Sequence, residues 1–315
     1  MRILITGGSS LLGRAVADLL VERGDRVTSF QRHQSDSNAV DFLGDIRDRD
    51  ALFAASDRCE AIIHLAALVA PKAPWADMQS INVDGTRNAV LAAVRCGRFI
   101  HISSPSVAFH DEPSVGSGPH AAQYSGHDGY TRSKALGEQL VFAESTVPTV
   151  VLRPHLVWGP GDTQLIGRIV DRARAGRLAL PDGGRALVDT TYVDDAADAI
   201  VAALDHCREG DTATDQPLVV TGGEPRPLRD LVSSILEAAG VARIPRSIPA
   251  PIASRLGSLI ERVWPGAEPP LTHFAARQLS VAHWFDQRET RRILGWAPAI
   301  GLDEGFERLR VSFTN

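Results

Sequence analysis

An apolar run of strand length, RILIT (2–6), opens into a glycine turn, TGGSSLLG (6–13), and straight on into LLGRAVADLLVERG (11–24). In the last segment Leu12, Val16, Leu19, Leu20 and Arg23 recur at helical spacing and Gly24 supplies a stop. The turn therefore joins a buried strand to a helix, and the alternation repeats. RVTSF (26–30), AVDFL (39–43), AIIHLAA (61–67), RFIHISS (98–104) and PTVVLRP (148–154) are strand-like, whereas SINVDGTRNAVLAAVRCG (80–97) and YTRSKALGEQLVFAES (130–145) are helix-like. Continuous apolar strands separated by helices require a parallel sheet, covered on both faces and joined by right-handed crossovers.

Beyond about residue 155 the alternation loosens, with Pro and Gly clusters such as WGPGD, LPDGG and WPGAEPP. PLVV (217–220) adds a strand and LRDLVSSILEAAG (228–240) a helix. The fold class is α/β: a Rossmann-type doubly wound parallel sheet with a smaller, mixed C-terminal lobe. With 315 residues the chain exceeds one typical core. Residues 1–156 plus 189–222 are expected to form the sheet domain, and 157–188 plus 223–315 a substrate-binding lobe. In 248–264, Ile248, Ile252, Leu256, Leu259, Ile260 and Val263 share one helix face with arginines opposite. This helix is expected to be a lid packed on the smaller lobe, with peripheral membrane contact as the alternative.

A formal net charge of −5 argues against nucleic acid or an anionic membrane surface as a partner. Cys59, Cys96 and Cys207 are odd in number and widely spaced, which reads as buried thiols in a reducing compartment and neither a disulfide framework nor a metal site. No run of 18 apolar residues is present, and a cytoplasmic protein is expected.

The opening turn carries the first chemical signal. Gly7, Gly8 and Gly13 let the backbone approach a pyrophosphate, whose charge the free N–H groups of the helix start can bind. Ser10 stands where a middle glycine is expected; it is small and able to donate to phosphate, so the loop reads as altered and still functional. At the tip of the second strand, SFQRHQS (29–35) places Gln31 where a carboxylate would accept from an adenine ribose, and Arg32 follows. A cation without an acid favours a 2′-phosphate, hence NADP(H) over NAD(H). In YTRSK (130–134), Tyr130 and Lys134 stand four residues apart on one helix face, where an ammonium can shift a phenol toward proton transfer. FIHISS (99–104) delivers Ser103 and Ser104 at a strand's C-terminal end, where ligands bind in open α/β sheets.

In order and spacing, TGGSSLLG, GDIRD (44–48), IIHLAA (62–67), NVDGT (82–86), HISSPSV (101–107), YTRSK, LRPHLVWGPGD (152–162) and TYVDDAADA (191–199) resemble an extended short-chain dehydrogenase/reductase over nearly the whole chain. The resemblance implies Tyr130 as general acid, Lys134 on the nicotinamide ribose, and Ser104, ahead of Ser103, orienting a carbonyl. It also implies a cofactor path along Gly7, Ser9, Ser10, Leu11, Leu12, Gly13 and Arg32. Asp45 and Ile46 would flank the adenine, His64, Leu65 and Ala66 would line the pyrophosphate and ribose path, and Asn82 would support the active-site helix.

Nucleotide-sugar epimerases of this kind carry an arginine before the YVDD stretch; here ALVDTTYVDD puts Val188 in its place. LRPHLVWGPGD and AHWFDQRETRRILGWAP (282–298) resemble instead the 3β-hydroxysteroid dehydrogenase branch, which includes sterol 4-carboxylate 3-dehydrogenases and bacterial 2-alkyl-3-oxoalkanoate reductases. That branch implies ketone–alcohol interconversion on a large apolar substrate, often with a neighbouring carboxylate; Trp264, Phe274, Trp284 and Phe285 fit either an apolar pocket or the core of the smaller lobe, and His110, His120, His155 and Arg185, cations by loop position, are left outside the assigned site. A homodimer through the helices containing 82–97 and 130–145 is the oligomer implied; Ala89, Val90, Ala93 and Val94 are compatible with that and equally with packing on the sheet. The alternatives are a nucleotide-sugar epimerase or dehydratase, a phenolic ketone (dihydroflavonol-type) reductase, and a non-catalytic NADP sensor.

Overall fold

The structure is a computed structural model and describes all residues except 71–72, 109–111, 119–121, 123–128, 215, 265–271 and 315. Seven strands, numbered in chain order, form one sheet: β1 (Arg2–Thr6), β2 (Arg26–Gln31), β3 (Val40–Leu43), β4 (Ala61–His64), β5 (Phe99–Ile102), β6 (Thr149–Pro154) and β7 (Leu218–Val220). All pairs are parallel, in the order β3-β2-β1-β4-β5-β6-β7. The order reverses at β1, so a crevice opens beyond the C-terminal ends of β1 and β4, where an α/β sheet of this kind binds ligands.

Both faces of the sheet are buried except at the exposed edge strand β3, which explains the uninterrupted apolar runs of the other strands. Ile3 and Ile5 of β1 pack with Val16 and Leu20 of the helix Leu11–Glu22 and with Ile200 and Ala203 of the helix Val193–His206. Leu4, Phe30, Ile62, Phe99 and Val151 face the other way, onto Ala89, Val90 and Ala93 of the helix Gly85–Cys96 and Leu140 and Val141 of the helix Gly129–Glu144. Each such fully buried aliphatic or aromatic side chain contributes about 1.5–3 kcal/mol.

The structure departs from the sequence reading at several points. The stretch 80–97 is not one α-helix: it begins as a π-helical turn, Gln79–Asp84, before Gly85–Cys96. Asn82 sits in that wider turn and uses both ends of its amide on the Leu68 backbone, accepting from Leu68 N at 2.7 Å and donating to Leu68 O at 3.1 Å. Ala89, Val90 and Ala93 are 0–1% exposed against the sheet and take no part in a surface. The apolar groups left outward on these two helices are Leu91, Val94 and Phe142.

A second core gathers Trp158, Tyr192, Phe306, Leu231 and Ile235, with the Trp158 and Phe306 rings stacked at 4.8 Å. A four-stranded mixed sheet, Arg226–Pro227, Leu187–Val188, His283–Phe285 and Ser114–Ser117 in that order, lies beside it. The expected lid helix spans Ala250–Val263, but only Ala253 and Gly257 are buried. Ile252, Leu256, Leu259 and Val263 face outward, because the small residues alone allow the helix to approach its neighbour.

The glycine turn is closed by backbone contact. Gly7 has φ +78°, and a Cβ on Gly13 would stand 2.4 Å from Gly7 O and 2.8 Å from Gly8 Cα. Neither atom can move without opening the turn, so Gly13→Ala is expected to cost about 1–3 kcal/mol. Thermal unfolding checks this, and a variant that melts with the wild type would refute the close packing.

Candidate active site

Gly7, Ser9, Ser10, Arg32, Asp45, Ile46, Leu65 and Ala66 come together around a cleft of about 230 Å³ at the strand-order reversal. Four strand ends supply it. Gly7 follows β1, Phe30 to His33 end β2, Gly44 to Ile46 follow β3, and Leu65 to Leu68 follow β4. Leu11, Leu12 and Gly13 form the first turn of the helix behind it. Sequence reasoning missed Phe30, His33, Gly44, Leu68 and Ile81; adjacency to the quoted motifs was the only signal available for most of them.

The hydroxyl of Ser10 is the N-cap of that helix. It accepts from Gly13 N at 3.0 Å and donates its one proton to Gly7 O at 2.9 Å. The expectation that this hydroxyl donates to a phosphate is thereby corrected: Ser10 replaces glycine by stitching the turn, and what the turn offers an anion is backbone N–H.

Charges along the cleft are sorted by local pairing. The Gln31 amide is consumed, accepting from Ser29 Oγ and donating to Asp41 Oδ1, both at 2.7 Å. Arg47 clamps Asp45 at 2.9 and 2.7 Å and holds its carboxyl down at about 2, with Arg32 adding a weaker pull. Arg32 itself is exposed and makes no hydrogen bond or ion pair among the described residues. The cleft thus presents one uncommitted guanidinium beside a neutralised carboxylate.

His64 does not turn into the cleft. It is 1% exposed, between Thr6 Oγ1 at 2.7 Å and Thr86 Oγ1 at 3.0 Å. Thr86 gives its proton to Asn82 O at 2.7 Å, so His64 Nε2–H donates to Thr86 and Nδ1 accepts from Thr6. Burial pushes His64 down to about 3, and it stays neutral in any working range.

Tyr130, Lys134, Ser103 and Ser104 stand at the neighbouring strand end. Asn82 Nδ2 donates to Ser133 Oγ at 2.8 Å, and Ser133 donates to Tyr130 O at 2.8 Å, fixing the first turn of the helix Gly129–Glu144. Lys134 Nζ donates to Ile102 O at 2.6 Å, tying that helix to the last residue of β5. Glu138, one turn further on, is paired with buried Arg153 of β6. Ser104 is half-buried, its Oγ 2.9 Å from Ser106 Oγ, whereas the buried Ser103 Oγ has no hydrogen-bond partner among the described residues.

The other sequence candidates lie apart. His155 is buried, 2.8 Å from His283, and burial keeps it neutral, so it is no cation for a carboxylate. Arg185 is exposed, and His110 and His120 lie outside the described residues. Trp284 and Phe285 line a second cleft of about 500 Å³ with Gln287 and Arg291, while Trp264 ends the Ala250–Val263 helix and is 39% exposed.

Residues 3–216 match the model of the NAD dependent epimerase/dehydratase family. The chain belongs to that family. It is an extended short-chain dehydrogenase/reductase of the 3β-hydroxysteroid dehydrogenase-like branch, and an NAD(P)-dependent dehydrogenase/reductase. It is 38% identical to the 2-alkyl-3-oxoalkanoate reductase of Stenotrophomonas maltophilia, over 99% of each chain. It is 27% identical to the mouse sterol-4-alpha-carboxylate 3-dehydrogenase, decarboxylating, over 98% of this chain and 90% of that one. Among solved structures, UDP-glucose 4-epimerase of Thermotoga maritima superposes with a TM-score of 0.79 at 21% identity, covering 100% and 99%, a likeness of fold.

Burial lowers Lys134 from 10.5 to about 8, against the opposing pull of Glu138. Below pH 8 the folded and unfolded chains both carry this proton, and the cost of burying it is fully felt. Between pH 8 and 10.5 the folded state sheds it while the unfolded chain keeps it, so stability rises with pH, by about 3 kcal/mol in all. Wild type is therefore expected to gain on Lys134→Met by that order between pH 7.5 and 10.5 in denaturant unfolding. A difference that stays flat would show that Lys134 titrates normally.

Proposed function

We propose that the chain interconverts a ketone and a secondary alcohol on a large apolar substrate, a 2-alkyl-3-keto acid before a sterol-like lipid, with NADP(H) preferred to NAD(H). The observation that carries the reading is Lys134, buried and hydrogen-bonded to the strand residue that precedes Ser103 and Ser104, one helical turn from Tyr130. The 38% identity to a 2-alkyl-3-oxoalkanoate reductase supports the substrate class.

The glycine turn, the Arg32 guanidinium and the cleft at the strand-order reversal fit a dinucleotide, with residues after β1 on the pyrophosphate and Arg32 on the 2′-phosphate. A bound nicotinamide supplies or accepts the hydride at the carbonyl carbon. Tyr130 holds the proton that goes to the developing alkoxide oxygen, and Ser104 donates a second hydrogen bond to the same oxygen. Lys134, positively charged below about pH 8, stabilises the phenolate left behind. Asn82 and Ser133 position the Tyr130 turn. The sheet domain would carry these groups, and the lobe of 157–188 plus 223–315 would cover the apolar substrate.

Val188 argues against the nucleotide-sugar alternative. It is 1% exposed within the strand Leu187–Val188 and offers no charge to a diphosphate.

Four outcomes test this reading. Oxidation of a 2-alkyl-3-hydroxy acid should reduce NADP⁺ faster than NAD⁺; silence on every alcohol with cofactor binding intact would move the reading to an epimerase or a sensor. Tyr130→Phe should lower kcat by about 10²–10⁴-fold and leave NADPH affinity unchanged, so near-normal turnover would refute the assigned acid. Arg32→Ala should raise KM for NADP⁺ about tenfold, the effect of one lost charge-assisted contact, with KM for NAD⁺ unmoved; equal changes would remove Arg32 from the 2′-phosphate. A homodimer through Leu91, Val94 and Phe142 is part of the same proposal, and Leu91→Glu should convert it to monomer in light scattering.

A further inference from the structure

The helix Ala250–Val263 is built inside out. Its polar residues Ser254, Ser258 and Glu261, at helical spacing, face the adjoining helix His273–Gln278: the His273 ring lies 3.0 Å from Ser254 Oγ and 3.1 Å from Ser258 Oγ, and His273 N donates to Glu261 Oε2 at 3.0 Å. Gly257 seals the contact, since a Cβ there would stand 2.6 Å from Thr272 O. The opposite face carries Ile252, Leu256, Leu259 and Val263, spaced four, three and four residues apart and exposed by 49, 41, 56 and 67%. A surface helix normally buries its apolar stripe. A contiguous exposed one marks an interaction site.

Charge selects the partner. Residues 241–264 contain four arginines and one acid, in a chain whose formal net charge is −5. The acid is Glu261, already turned inward onto His273. Arg255 and Arg262 are exposed about a quarter-turn from the apolar stripe, and Arg243 and Arg246 are exposed just ahead of it. A second copy seated on this face would bring arginines against arginines, which disfavours self-association. The stripe runs about 17 Å along the helix, from Ile252 to Val263. Trp264 closes its C-terminal end, and such rings favour the headgroup level of a bilayer. Among the described residues no helix is long and apolar enough to cross a membrane.

We propose that the Ala250–Val263 helix docks the protein onto an anionic lipid bilayer, lying in the interface plane with Ile252, Leu256, Leu259 and Val263 among the acyl chains and Arg255 and Arg262 at the headgroups. The inference rests on the geometry of this helix and not on the reaction assigned above. If that reaction is also right, the docked enzyme takes its apolar substrate from the surface into which such molecules partition.

The test is co-sedimentation of the full chain with phosphatidylcholine vesicles, with and without about a third of phosphatidylglycerol. The protein should bind the anionic vesicles only, and binding should fall with added salt. Leu259→Glu with Val263→Glu should lower the partition coefficient at least tenfold, as should Arg255→Glu with Arg262→Glu, an order set by the lost apolar area and charge. Melting temperature and turnover of a soluble substrate should be unchanged in both variants, which separates lost docking from lost folding. No binding to anionic vesicles, equal binding to both compositions, or undiminished binding of either variant would overturn the proposal. So would a wild-type dimer that Leu259→Glu dissociates.

Discussion

Ala66 N donates to Thr6 Oγ1, Thr6 donates to His64, His64 donates to Thr86, and Thr86 donates to Asn82 O. Every proton in this buried chain has one direction, because the last acceptor is a carbonyl and has none to give. Asn82 then continues through its amide to Ser133, and Ser133 to the Tyr130 carbonyl. The chain begins at the rim of the nucleotide cleft and ends in the first turn of the Tyr130 helix. Its cost would be severe if any member were lost, since each leaves a buried polar group unpaired, at roughly 1–3 kcal/mol. His64 can serve in this way only as a neutral ring; a charged His64 would put a second donor against Thr6, whose proton is already directed at it.

Electrostatics around this spine follow from pairing and burial. Arg153 and Glu138 satisfy each other in the core, so Glu138 is only a partial counter-charge for Lys134, and burial keeps the lysine near pH 8. That places its proton within reach of physiological conditions, unlike a surface lysine. On the cofactor side the same logic runs through exposed groups. Arg47 occupies Asp45 and Gln31 is spent on Ser29 and Asp41, so Arg32 is the group with charge to offer.

The central sheet was legible because every strand but the exposed edge strand β3 is buried on both faces, and a continuous apolar run between helical patterns has few other readings. The helix Gly129–Glu144 was legible for a related reason, a tyrosine and a lysine at a spacing that only a helix makes meaningful. What escaped was set by partners distant in sequence. Asn82 was read as support for the active-site helix, but its π-turn depends on the Leu68 backbone 14 residues earlier. Ser10 was read as a phosphate donor because its proton's destination, Gly7 O, depends on how the turn closes. The Ala250–Val263 helix is amphipathic as its periodicity predicts, but its apolar stripe points outward, since periodicity gives the stripe and not the direction in which it points. Gly257, among larger apolar residues, was the one local sign of where the neighbour lies.

The likeness to UDP-glucose 4-epimerase in fold and the kinship to 2-alkyl-3-oxoalkanoate reductases in sequence are compatible because fold and function are held by different residues. The cofactor cleft and the Tyr130 helix depend on the parallel sheet, which any member of the fold must keep. The smaller sheet, with strands of two to four residues, is not part of that framework. Val188 lies there, buried between the strands Arg226–Pro227 and His283–Phe285, where it adds to the packing of the lobe and offers no charge to a phosphate. The proposed choice of an apolar substrate over a sugar nucleotide can therefore rest on the smaller lobe while the hydrogen-bond chain beneath it stays the same.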